Sequence, residues 1–234
     1  MRAIAAAGPI GLLGGTFDPV HAGHLQLGAD AERALGLAQL RLLPAGQPWQ
    51  KDAVTPAYHR LAMLELALHE RAQRRPDVPG PGGTPWVVDT REIARTGPSY
   101  TVDTLREIRA AVGPAAPLVW ILGYDQLRGL PSWHEWQSLV QLAHIAYAQR
   151  AGEATRLDGA LDGYVAARRG TAAQLASRPA GSFVQFPMQA VDCSATRLRA
   201  ALAAGDTAGA RTFLCPAVLG YIQTHQLYLA VHGQ

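Results

Sequence analysis

Lysine is almost missing from this chain. Lys51 stands alone against twenty arginines in 234 residues, and the net charge is only +3. So mild a balance, without a basic stripe interleaved with aromatics, lacks the footprint of a nucleic-acid binder. Cysteine is scarce too: Cys193 and Cys215 are too few for a disulfide framework and have no metal-ligand spacing. No apolar run approaches the ~18–20 residues of a membrane span. The first thirteen residues begin like a signal peptide, with one Arg and then alanines. Gly8 and Pro9 break the apolar stretch that such a peptide needs. The expectation is a soluble cytoplasmic protein with no membrane partner. The surviving lysine reflects either chance or a position where a flexible point charge serves and a planar fork does not.

The length suits one α/β domain spanning 1–234, with or without an added subdomain. Short apolar runs alternate with helical periodicity: strands at 10–13, 39–43, 86–88, 118–122, 145–148 and 182–186. That alternation predicts a doubly wound, mostly parallel sheet of Rossmann-like type. Thr55-Pro56 looks like a helix start, Thr as N-cap and Pro in the first turn. Ser99 or Thr101 is a candidate cap for the helix that follows. Another helix is expected to begin at Pro131. The Ala- and Arg-rich stretch 151–181 reads as an insertion of one or two surface helices. Residues from about 190 to 234 read as a small C-terminal helical part, closed by a helix over Pro216 to Leu227. No internal repeat is present.

The stretch from Gly14 to Leu25, GGTFDPVHAGHL, organises the rest. It joins the first strand to the first helix, read over Leu25 to Leu37. Strand, glycine turn and helix together present backbone N–H groups and a helix N-terminus to a phosphate. Gly14 and Gly15 let the backbone approach a ligand without a Cβ. Thr16 adds a hydroxyl donor. His21 and His24, spaced i, i+3, share a helix face with Cβ atoms about 5–6 Å apart. Two imidazoles at a helix N-terminus suit negative charge that grows during a reaction. Taken singly, a glycine pair is most often a tight turn, and zinc needs more ligands than one H-x-x-H pair supplies.

Other stretches sit at expected strand ends, where such folds keep ligands. Pro44 to Lys51 is a polar loop. Gly123-Tyr124-Asp125 ends the fourth strand, a place to bind a ribose or orient a metal. Ser194 and Thr196 open a late helix, where capping is their ordinary role. Arg199, one turn in, can reach an anion bound there.

Together these stretches resemble the nicotinate-nucleotide adenylyltransferase family of the T/HxGH nucleotidyltransferases. The resemblance rests on GGTFDPVHAGHL and on four further segments in the same order. Pro44 to Lys51 is similar to the family's P-x-x-x-P-P-H-K/R loop, and Pro98 to Leu105 to its SYTxxTL segment. Gly123 to Trp133 is similar to GxDxxxxLPxW, and Ser194 to Arg199 to SxTxxR. The loop departs from the pattern at Gln50, where a histidine is usual, and keeps Lys51 at the basic position.

The resemblance implies adenylyl transfer from ATP to nicotinate mononucleotide, with Mg2+ required. It implies that His21, His24 and Arg199 are catalytic. ATP would be held by Gly14, Gly15, Thr16, Phe17, Lys51, Gly123, Asp125, Ser194 and Thr196. Tyr100, Thr101, Trp133 and Arg150 would bind the mononucleotide, Trp133 by stacking on its pyridine ring. No metal-binding residue of the chain is implied, and a homo-oligomer is compatible. A phosphomonoester is already largely dianionic at neutral pH, its second pKa being about 6. The chemistry therefore needs alignment and charge neutralisation more than a base. Two other readings compete. One is a sister enzyme using phosphopantetheine, which leaves the SYTxxTL and LPxW stretches unexplained. The other is a silent nucleotide-binding domain, which the presence of His24 and Arg199 disfavours.

Overall fold

A computed structural model of the chain describes residues 8–48, 54–74, 84–150 and 157–229, with the side chain of Arg150 outside that description. Six strands form one sheet: β1 Ile10–Gly15, β2 Gln39–Pro44, β3 Trp86–Val88, β4 Leu118–Gly123, β5 His144–Arg150 and β6 Phe183–Met188. Their order is β3-β2-β1-β4-β5-β6, and every neighbouring pair is parallel. The order reverses between β1 and β4. In such sheets that switch point, at the carboxyl ends of the strands, opens a crevice for ligands.

Helices α1 Ala22–Leu35, α2 Ala57–Gln73, α3 Arg91–Ala94 and α4 Thr101–Val112 follow the first three strands. α5 Tyr124–Arg128 and α6 Trp136–Leu142 lie between β4 and β5, separated by a 3-10 turn over Leu130–Ser132. α7 Gly159–Ala166 and α8 Ala172–Leu175 lie on the connection from β5 to β6. α9 Ala195–Ala203, α10 Thr207–Arg211 and α11 Pro216–Thr224 close the chain. Two apolar cores flank the sheet. One holds Leu13, Leu42, Met63, Ile121 and Val218, the other Leu12, Leu105, Trp120, Leu139 and Ile145. The inward residues of β4 divide between them, as the alternation of a strand buried on both faces requires. Among the described residues no helix is long and apolar enough to cross a membrane.

The expected strands are all present, while several helix ends differ from expectation. α1 begins at Ala22, not Leu25, because His21 itself is the N-cap. α2 is capped by Pro56 without a side-chain bond. Thr55 is drawn elsewhere: its N–H donates to Asp18 at 3.1 Å and its carbonyl accepts from Arg60 at 2.8 Å. Neither Ser99 nor Thr101 caps α4, whose N-cap is Tyr100 with no side-chain bond. Pro131 opens only the short 3-10 turn, and α6 starts at Trp136. The closing helix stops at Thr224, short of Leu227.

Candidate active site

His21 and His24 meet at the start of α1, with ring centroids 3.9 Å apart. The Gly23 N–H donates to His21 Nδ1 at 3.2 Å, and the His21 N–H donates to His24 Nδ1 at 3.3 Å. Each imidazole thus satisfies an N–H that the helix start would leave unpaired. An Nδ1 that accepts leaves the proton of the neutral ring on Nε2. Both rings are therefore N–H donors in fixed orientation. His21 is buried, and burial lowers its pKa to about 4. At physiological pH it is a neutral imidazole, not a cation. Phe17 packs edge-on to His24 at 5.0 Å.

The glycine turn has a different cause from close ligand approach alone. A Cβ on Gly14 would stand 2.5 Å from the Trp120 indole, and one on Gly15 would stand 3.0 Å from the Phe17 ring. The Trp120 indole alone demands glycine at position 14, and at position 15 a Cβ would make the Phe17 ring give way.

Two cavities open at this edge. The larger, about 220 Å³, is lined by Gly14, Gly15, Thr16 and Phe17, with Glu92, Thr101 and Trp133 across from them. The smaller, about 210 Å³, is lined by His21, His24, Gly123 and Asp125, with Met188 and Cys193. His24, Leu27 and Gln126 border both. Asp125 lies in the first turn of α5 and is exposed.

Other expected residues lie farther back. Ser194 caps α9, accepting from the Arg197 N–H at 3.2 Å. Thr196 is exposed, and Ala195 between them reaches the larger cavity. Arg199 donates to the Asp18 carbonyl at 2.8 Å, tying α9 to the loop between Phe17 and His21. Tyr100 stacks on His134, with centroids 4.5 Å apart, rather than lining either cavity. Lys51 lies outside the described residues, as does the side chain of Arg150.

One residue of consequence goes unnoticed in the sequence. Arg60, on a helix that suggests no chemistry, is almost fully buried. Its guanidinium donates to the carbonyls of Thr55 and Thr16 at 2.8 Å each and of Gly46 at 3.1 Å. Burial lowers its pKa, and the charge of Asp18 opposes that shift. Asp18, also buried, accepts from the Tyr228 hydroxyl at 2.6 Å. The loops after β1 and β2 are thus pinned to one cation. The only signal in the sequence is an arginine in a helix otherwise patterned for burial.

Residues 12–201 match the family described as cytidylyltransferase-like. The chain belongs to that family. Within it, a probable nicotinate-nucleotide adenylyltransferase of Laribacter hongkongensis is 45% identical over 223 residues, 94% of either chain. One of Pseudomonas entomophila is 43% identical over 236 residues, covering 98% of this chain and 99% of that one. Similarity of this degree over the full length places the chain among the nicotinate-nucleotide adenylyltransferases. The Plasmodium falciparum nicotinic acid mononucleotide adenylyltransferase complexed with NaAD superposes with a TM-score of 0.71 at 15% identity, covering 94% and 97% of the two chains. At that identity it speaks for the fold alone.

Proposed function

We propose that the protein transfers the adenylyl group of ATP to nicotinate mononucleotide, releasing pyrophosphate and forming nicotinate adenine dinucleotide for NAD biosynthesis. The carrying observation is the pair of cavities that share His24 at the switch point of the sheet. Such a site lets two nucleotides meet end to end, with the reacting phosphates at the joint.

The acceptor phosphate, a dianion, attacks the α-phosphorus of ATP. A new P–O bond forms as the bond to the β-phosphate oxygen breaks, and pyrophosphate carries away the electron pair. No side chain needs to take a proton. We assign His24 and His21 as Nε2–H donors to the phosphate oxygens whose charge grows in that step. Their Nδ1 bonds to backbone hold both rings in place beforehand. Arg199, with Ser194 and Thr196 at the start of α9, faces the leaving pyrophosphate in this reading. Lys51 serves as a point charge for the triphosphate.

The smaller cavity takes the adenosine half, with Gly123 and Asp125 toward the ribose. The larger takes the mononucleotide, with Trp133 against the pyridine ring. Its carboxylate faces the start of α4, which no side chain caps. Magnesium, bound with the triphosphate, would supply neutralisation of its negative charge. Among the described residues no group of three or more His, Cys, Asp or Glu side chains could hold it by itself.

The test is pyrophosphate release with ATP and three acceptors: nicotinate mononucleotide, nicotinamide mononucleotide and phosphopantetheine. The expected order places nicotinate mononucleotide first by a wide margin. Phosphopantetheine turnover above it would overturn the reading, as would absence of turnover with every acceptor.

A further inference from the structure

Glu92 is a buried carboxyl on the wall of the larger cavity, and the mechanism gives it no work. Its surroundings are unusually specific. The Thr104 hydroxyl, itself buried, donates to its Oε1 at 2.7 Å. Burial raises the Glu92 pKa, and Thr104, the charge of Arg95 and the nearby Ser99 hydroxyl oppose that shift. The Ser99 Oγ in turn accepts the N–H groups of Gly46 and Gln47 at 3.0 and 3.2 Å. The Ser99 N–H returns a bond to the Gln47 carbonyl at 3.0 Å. The backbones cross closely here: a Cβ on Gly46 would lie 2.1 Å from the Glu92 carbonyl oxygen.

Ser99 Oγ accepts from two N–H groups, so its one proton must be donated onward. A carboxylate is an acceptor only and can take that proton bond and the one from Thr104 together. Glu92 thereby backs a contact, Ser99 to Gly46 and Gln47, that clasps two segments more than fifty residues apart. Those segments are the loop after β2, which leads to Lys51, and the start of α4, which carries Thr101.

We propose that Glu92 is a positioning residue for the acceptor wall, holding the Gly46 loop against the start of α4 through Ser99 and Thr104. The proposal rests on the adenylyl-transfer reading and adds to it which groups set the shape of the acceptor side. A glutamine in its place would offer one oxygen where there were two, and would bring two N–H donors. Ser99 Oγ can accept from those donors only by releasing Gly46 or Gln47.

The experiment pairs steady-state kinetics with amide hydrogen exchange on the full chain. Glu92→Gln should raise the KM for the acceptor roughly tenfold, the worth of one charge-assisted hydrogen bond, and leave the KM for ATP within about twofold. Exchange at the Gly46 and Gln47 amides should quicken relative to that of the β4 amides. Ser99→Ala should reproduce both effects, and the double variant should be no worse than the more affected single. An equal rise in the KM for ATP, unchanged exchange at the two amides, or additive single effects would each overturn the proposal. If Glu92→Gln does not fold, Ser99→Ala carries the test, and an unchanged acceptor KM there overturns it. Should the wild-type protein prefer another phosphomonoester, the acceptor reading fails by itself. The same KM comparison made with the preferred acceptor still decides the role of Glu92.

Discussion

His21 and His24 come from one turn of α1 and are held by backbone N–H groups within three residues of themselves. The acceptor side is put together differently. Pro48, Glu92, Thr101 and Trp133 arrive on four separate segments and meet only in the folded chain. The first arrangement is set by hydrogen bonds local to one helix start. The second depends on cross-links between loops, through Ser99 and through Arg60. Chemistry common to many acceptors can sit on the local part. Choice of acceptor falls to the assembled part, where loops change without disturbing the sheet.

This contrast predicts that the largest effect on stability comes from the cross-links. Arg60→Met keeps the bulk but leaves three carbonyls unpaired and Asp18 buried without that cation. A loss of about 3–5 kcal/mol is expected, as for other broken buried charge networks. Urea unfolding measures it. A loss below about 1 kcal/mol, the scale of an exposed pair, would show that the guanidinium does not bear the loops.

The local part should answer with turnover instead. His24→Ala is expected to lower kcat by roughly 10²–10³, as the loss of one oxyanion donor does, with little change in stability or in ATP binding. Single-turnover kinetics with nicotinate mononucleotide reads it. Near-normal turnover would remove His24 from the mechanism.

His21 offers a gentler test through pH. Its pKa lies near 4 in the folded protein, lowered by burial from 6.5. Between those values the unfolded chain holds a proton that the folded one lacks. Stability therefore falls as pH falls through that window, by at most about 1.4 kcal/mol per pH unit from this residue. His21→Asn keeps a capping oxygen and removes the titration. The slope of stability against pH between 6.5 and 4 should flatten in that variant. An unchanged slope would assign the effect to His144, the other buried histidine whose pKa is lowered by burial.

The same contrast explains what the sequence reveals of the fold and the site. The βα alternation and the GGTFDPVHAGHL stretch are local patterns, and they yield the sheet, its parallel sense and the histidine pair. Ser99 looks like a helix cap because a hydroxyl before a helix usually is one. Its real partners lie 52 and 53 residues away, where no local pattern reaches. Arg60 has the same difficulty, with three carbonyl partners on two loops. Gly14 and Gly15 look like ligand glycines, while Trp120 requires the first and Phe17 crowds the second from within the fold. Long-range packing is the part that periodicity and spacing do not encode.

Trp133 gives the smallest expected effect and bears most directly on the assembled wall. It follows the 3-10 turn, donating its N–H to the Leu130 carbonyl at 3.0 Å, and its half-buried ring borders the larger cavity. Stacking on a flat pyridine ring contributes about 0.5–1.5 kcal/mol beyond simple burial. Stacking also cannot tell a carboxylate from an amide, because both ring systems are flat and of equal size. That distinction falls to the uncapped start of α4, whose N–H groups favour an anion and meet an amide NH₂ donor against donor. Trp133→Ala should therefore raise the KM for nicotinate and nicotinamide mononucleotide by the same factor, roughly three- to tenfold. The ratio between the two acceptors should stay constant, and the KM for ATP should hardly move. A change in the acid-to-amide ratio would mean that the indole itself takes part in discrimination. Selective loss of ATP binding would put Trp133 on the adenosine side and exchange the roles of the two cavities.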